Sequence, residues 1–191
     1  MSVHRDDILA DDILNFWFEE AGPVKWYARS DAFDADIRAR FEDFSTSAAA
    51  QLKTTGSHAW QDAPDSALAL IIALDQFSRN MYRDTKGAFA WDDLALACAK
   101  QAVDKGYDLK TGQTRRAFFY LPYMHAEDLA VQDECVRLMD MCIDDPDNLF
   151  HAKEHRKLIA RFGRYAHRNA VLGRNSTDEE IDYLNRDGYA P

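Results

Sequence analysis

Three groups of residues have types and spacings that could do chemistry. The first is Asp75 and Arg79, four positions apart with the acid N-terminal, the favourable order for a helical ion pair. At 100° per residue, Leu68, Ile71, Ile72, Asp75, Arg79 and Tyr82 share one flank, so an apolar stripe turns charged partway along. Asn80 follows directly. The second group lies in LPYMHAED (121–128), with Gln132 just beyond. If Pro122 opens a helical turn, His125, Asp128 and Gln132 share a face that continues through Cys135, Met139 and Cys142. A carboxylate three residues from a histidine can orient the ring, or join it on a metal. The third group is HRKLIARFGRYAHRNAVLGRN (155–175), which holds five Arg and one Lys and no acid. In an unbroken helix from Asn148 to Arg168, Arg161, Arg164 and Arg168 lie within about 60° of one another, beside Asn169. Such guanidiniums form a fork for carboxylate or phosphate.

Each group also has a plainer reading. Asp75–Arg79 can be a structural ion pair, and His125–Asp128 a hydrogen-bonded polar cluster. The basic stretch can be neutralised by acidic neighbours. Zinc ligation favours two histidines at i, i+4, which His125 lacks, and the H-E-x-x-H string is absent, so no metal is expected. There is no Gly-rich phosphate loop, no G-x-S-x-G and no paired cysteine ligand set, and no cofactor is expected.

Helical periodicity dominates the elements that must carry these groups. Ile8, Ile13-Leu14 and Trp17-Phe18 predict a first amphipathic helix ended by Gly22-Pro23. Ser30 or Asp31 caps a second helix with Phe33, Ile37, Phe41 and Phe44 on one stripe, broken at Thr54-Thr55-Gly56-Ser57. Pro64 suits the first position of a third helix reaching about Tyr82. Leu70, Leu74, Phe77 and Met81 make its second flank apolar too, so this helix belongs at the centre. Gly87 precedes a fourth helix with Trp91, Leu94, Cys98 and Ala102 inward and Gly106 past its end. Thr114 to Asp144 reads as helix interrupted at Pro122. The helix from Asn148 to Arg168 contains Gly163, at a cost of about 1 kcal/mol against alanine. Overlapping capping boxes, Ser176–Glu179 and Thr177–Glu180, open a last short helix stopped at Gly188. No segment alternates as a strand would. The expected fold is all-α: one domain over 1–191, with seven to nine antiparallel helices as an array or irregular bundle.

The bulk properties narrow the partners. At 191 residues with 47% hydrophobic and 12% aromatic positions, the chain can bury a sizeable core and is not globally disordered. The 33 acidic residues against 23 Lys+Arg give a net charge of −10, which repels phosphate backbones, so no nucleic-acid partner is expected. No run approaches the roughly 18 apolar residues of a membrane span, and no signal h-region is visible, so no membrane partner is expected. Cys98, Cys135 and Cys142 form no C-x-x-C and read as small core residues, consistent with a reducing cytoplasm.

The strings ILNFWF (13–18), LALIIALDQFSRNMYR (68–83), AFAWDDLAL (88–96), FFYLPYMHAEDLAVQ (118–132) and RFGRYAHRNAVLGR (161–174) together resemble one family. It is the bacterial family catalogued as domain of unknown function 924, and the resemblance runs in order from about Ile8 to Leu184. It implies a tetratricopeptide-like arrangement of helical hairpins and little about function, since the family has no agreed activity. Its motif positions correspond to Asp75, Gln76, Arg79, Asn80, Arg83, His125, Glu127, Asp128, Gln132, Arg161, Arg164, His167, Arg168, Asn169 and Arg174. Ser78 and Ala166 stand where related sequences often carry proline, and neither departure removes a charged group.

The leading expectation is a concave pocket for a small anionic molecule or a peptide carboxylate. Arg79, Arg161, Arg164 and Arg168 would hold the charge, Asp75 and Asp128 would orient them, and Asn80, Gln132 and Asn169 would stand beside them. One alternative is a hydrolase or transferase using His125 or His167 as acid/base with Glu127 as partner. Another is a scaffold for a protein partner.

Overall fold

The computed structural model describes residues 8–26, 28–186 and 189, all helix, turn and loop, with no strand among them. The expected stop at Gly188 lies outside the described residues. The first helical run ends at Gly22, as expected, but it is not α-helical throughout. Helix α1 (Ala10–Asn15) widens into a π-helical stretch, Phe16–Ala21, and Gly22 at φ 65° bends the chain into α2 (Gly22–Trp26). The wider turn buries Phe16 and Trp17 together, against Phe77 at 5.9 and 5.6 Å.

Local signals place the next two helices. Ser30 Oγ accepts from the Phe33 amide to open α3 (Asp31–Thr55), and Gly56 closes it in the left-handed region at φ 72°. Pro64 is the first residue of α4 (Pro64–Met81), which is buried along nearly its whole length. Helix α4 packs against α1, α3, α5 (Asp92–Asp104) and α6 (Gln113–His125). This central helix carries Asp75 and Arg79, so both are drawn inward by the Leu, Ile and Phe residues around them.

Two breaks differ from expectation. Pro122 lies inside α6, and the chain leaves the helix only at Ala126. Gln132 of α7 (Leu129–Cys142) makes that late stop tolerable: its Nε2 donates toward the carbonyls of Met124 and Ala126, each 2.7 Å away, which the end of α6 leaves unpaired. Helix α8 (Pro146–Phe162) ends at Gly163, which adopts φ 71° and donates its N–H to the Ile159 carbonyl. The single helix expected to reach Arg168 is therefore corrected to a helix, a turn and a 3-10 segment, Ala166–Arg168. Arg161, Arg164 and Arg168 consequently do not share one helical face. The chain continues through α9 (Asn169–Leu172) to α10 (Asp178–Asn185), opened by the Thr177–Glu180 capping box.

Cys98 and Cys135 are buried in the core and all three cysteines are free. Burial pushes the Cys98 thiol up to about 11, so it stays protonated and unreactive. Among the described residues no helix is long and apolar enough to cross a membrane.

Candidate functional site

The site is built on the Asp75 carboxylate, which is 1% exposed. Its Oδ1 accepts from His125 Nδ1 at 2.7 Å and lies 3.2 Å from Arg79 Nη1, while Oδ2 accepts from Gln76 at 2.5 Å. Arg79 then reaches across to Asp92 at the start of α5, with Nη2 3.1 Å from its carboxylate. Arg168 Nη1 donates at 3.2 Å to the same Oδ2 that accepts from Arg79, leaving Asp92 Oδ1 buried without a hydrogen-bond partner, and the same nitrogen donates to the His125 carbonyl at 3.2 Å. Four elements thus converge: α4, α5, the end of α6 and the 3-10 turn after α8.

The cluster has a buried floor and a partly open rim. Asp75 and the Arg168 side chain (7% exposed) are enclosed, whereas Arg79, Asp92 and His125 keep 21%, 17% and 15%. The Arg168 guanidinium lies between the rings of Phe89 and Tyr165, 4.5 Å from each centroid. Its Nε is buried without a hydrogen-bond partner.

Burial and charge decide the protonation states. Burial pushes the Asp75 carboxyl up, but Arg79, then His125 and Gln76, outweigh it and hold the group well below the usual range. For His125, burial and the Arg79 charge push the imidazole down against the pull of Asp75, so the ring is neutral at pH 7. An ionised Asp75 can only accept, so His125 carries its proton on Nδ1. Its Nε2 is left with a lone pair, and no described residue hydrogen-bonds to it. Burial raises Asp92 and lowers Arg168, each beyond what the opposite charges restore. His155 of α8 backs this cluster with its ring 6.4 Å from that of His125, and burial drives it down to about 3.

The remaining expected residues lie elsewhere. Arg164 pairs bidentately with buried Glu180 of α10 at 2.7 and 2.8 Å, and Arg161 pairs with exposed Glu179 at 2.8 Å. Arg161 also lines a cleft of about 200 Å³ with Asp182, Tyr183 and Arg186, where its charge is already matched. Glu127 accepts from Arg174 at 2.5 Å and from the Tyr165 amide at 2.8 Å, and among the described residues no hydrogen bond joins it to His125 or His167. His167 packs on the Tyr165 ring, and burial takes it down to about 4. Asn169 bridges Arg174 to Glu180. Asn80 donates to Asp34 at 2.7 Å beside Arg83, locking α4 to α3. Asp128 is the N-cap of α7, accepting from Val131 at 3.0 Å. Gln132 holds Tyr165 as well, with Nε2 2.8 Å from its hydroxyl. Asp75, Arg79, His125 and Arg168 meet, and the others support the surrounding frame. Among the described residues no group of three His, Cys, Asp or Glu is arranged to hold a metal ion.

Sequence reasoning missed Asp92, Phe89 and His155. Asp92 had a usable signal, since it stands three residues before Ala95 and seven before Ala99, both fully buried. It reads as an acid favouring a helix N-terminus, which conceals that role.

An all-helical chain with a buried, internally paired Asp–His–Arg cluster is the class that the fold and site define. The chain belongs to the family of bacterial proteins of unknown function called DUF924, which matches residues 13–188. It is similar to a solved structure, the protein of unknown function ATU0120 from Agrobacterium tumefaciens, at 42% identity and a TM-score of 0.84. That likeness covers 93% of this chain and 97% of the other. None of the curated proteins matches the sequence.

Proposed function

We propose that this protein is a tetratricopeptide-like helical array of the cytoplasm that binds a small anionic molecule or a peptide carboxylate over the Arg79–Asp92–His125 rim, with Arg168 enclosed beneath it. The observation that carries this reading is Arg168, a buried guanidinium clamped between two rings with its Nε unpartnered. Leaving such a donor unmet costs about 1–3 kcal/mol, which an incoming acceptor relieves. Asp92 supports it further. Its carboxylate already bridges both guanidiniums, so they accept a carboxylate in this geometry.

A thermal-shift screen of phosphate, sulfate and carboxylates at fixed ionic strength tests the reading. A binding anion raises the melting temperature of the wild type and loses that effect in Arg168→Lys. An equal response in the variant would sink it. A second reading, a hydrolase or transferase with His125 as acid/base, is favoured by the 2.7 Å contact to ionised Asp75. Conversion of a bound candidate into product, abolished by His125→Asn, would separate that reading from binding alone.

A further inference from the structure

The cluster holds unmet groups of opposite character: an enclosed donor on Arg168, and acceptors on His125 and on Asp92, whose Oδ1 is also buried without a hydrogen-bond partner. Arg168 Nε–H is a donor without an acceptor, and it lies beneath the rings that fix its plane. His125 Nε2 is an acceptor without a donor, because Nδ1 carries the only ring proton and commits it to Asp75. The two residues touch, with Arg168 Nη1 3.2 Å from the His125 carbonyl, and both border Asp92 and Arg79. A bare anion satisfies Arg168 and leaves His125 unmet. An anion's lone pairs facing the imidazole lone pair, acceptor against acceptor, would even count against binding. A ligand that carries a hydrogen-bond donor beside its carboxylate satisfies both.

We infer that the ligand class is a carboxylate bearing a hydrogen-bond donor on its α-carbon, with the carboxylate on Arg168 and the donor on His125 Nε2. This rests on the binding reading above. Two sources share that chemistry: a free 2-hydroxy acid, whose hydroxyl is the donor, and a polypeptide C-terminus, whose last amide N–H is.

Asp75 is a positioning residue in this arrangement. By accepting from Nδ1 it sets the tautomer that leaves Nε2 free. The charged and titratable groups around the imidazole are Asp75 and Arg79 from α4, Asp92 from α5, His155 from α8, and His167 and Arg168 from the 3-10 turn. Acid protonates Nε2 and turns the acceptor into a donor, so the preference for donor-bearing carboxylates disappears there.

Three probes of similar size separate the outcomes when titrated calorimetrically into the intact protein: lactate, N-acetylglycine and propionate. One hydrogen bond corresponds to about a tenfold preference over propionate. Preference for lactate alone identifies a free hydroxy acid as the source, and preference for N-acetylglycine alone identifies a chain terminus; either supports the inference. The same titrations on His125→Asn, whose amide keeps the bond to Asp75 but has no acceptor at Nε2, should bring the affinities together. Should that variant fail to fold, loss of the preference at acidic pH in the wild type reads the same group. Equal wild-type affinities for all three would overturn this inference while leaving anion binding intact. A preference untouched both by His125→Asn and by acid would overturn it too. No binding of any probe would overturn the binding reading and this one with it.

Discussion

Replacing Arg79 by alanine tests whether the cluster is a balanced set of buried charges. Arg79 Nη1 lies 3.2 Å from Asp75 Oδ1, and at an effective dielectric constant of about 20 that contact is worth about 5 kcal/mol of attraction. Removing one partner of a buried pair typically costs about 3–5 kcal/mol, because the remaining charge keeps its desolvation penalty. Asp75 retains His125 and Gln76, but neither carries a positive charge at pH 8. A loss of about 3–5 kcal/mol is therefore expected at pH 8, or roughly 6–20 °C in melting temperature for a domain of this size. Denaturant unfolding beside Lys53→Ala, an exposed control expected to stay within about 0.5 kcal/mol, measures it.

The same variant has a pH signature. In the wild type the folded-state pKa of His125 lies below its unfolded value of about 6.5, so the unfolded chain binds a proton that the folded chain refuses. Wild-type stability thus falls as pH drops through that region. Without Arg79 the main positive neighbour is gone, and His125 can protonate to become the counter-ion of Asp75. Its folded pKa then rises above the unfolded one, adding stability that is present in acid and lost as pH climbs. The two stability curves should approach one another between pH 8 and pH 5.5. Equal midpoints for Arg79→Ala and Lys53→Ala would refute the buried-pair reasoning, and a penalty independent of pH would refute the exchange of counter-ions.

Glu180→Gln should lower the denaturant midpoint by breaking the bidentate Arg164 pair. Arg164 and the Thr177 and Asn169 donors hold Glu180 down at about 2, so the wild-type contribution is present above about pH 4.3 and lost toward pH 2. That acid-limb slope should shrink in the variant, while its anion response at neutral pH stays. Tyr165→Phe removes a hydroxyl that donates to the Met124 carbonyl at 2.5 Å, and should lose about 1–2 kcal/mol in chemical unfolding. Asp92→Asn leaves two guanidiniums facing one carboxylate, so carboxylate titrations should show tighter binding than in the wild type; weaker binding would mean that Asp92 helps to hold the ligand rather than competing with it.

Local chemistry was readable where one residue decides the backbone. Pro64, the Ser30 cap, Gly56 and the Thr177–Glu180 capping box all sit where their side chains require, and the two apolar flanks of α4 placed it at the centre. Asp75–Arg79 followed from helical spacing alone. Gly163 was ambiguous, since the apolar and basic periodicity runs on past it; only a left-handed φ distinguishes a stop from an interior glycine. That one angle moved Arg168 away from Arg161 and Arg164 and into contact with residues 76 positions earlier in the chain. Pro122 misled in the opposite direction. Its missing donor suggested a break, but the carbonyls that decide where α6 ends are gathered by Gln132, a partner from the next helix. Glu180 and Asp92 each serve a helix end locally and an arginine at long range, and sequence spacing reports only the first role.

The most direct test is the side-chain NMR resonance of Arg168 Nε–H, assigned by its loss in Arg168→Lys and followed while lactate is added at constant ionic strength. The unpartnered donor should shift and saturate along one binding curve, with the Nε–H signals of Arg161 and Arg164 unmoved. An Arg168 signal that stays still while the surface arginines drift in proportion to lactate would contradict a ligand site at this cluster.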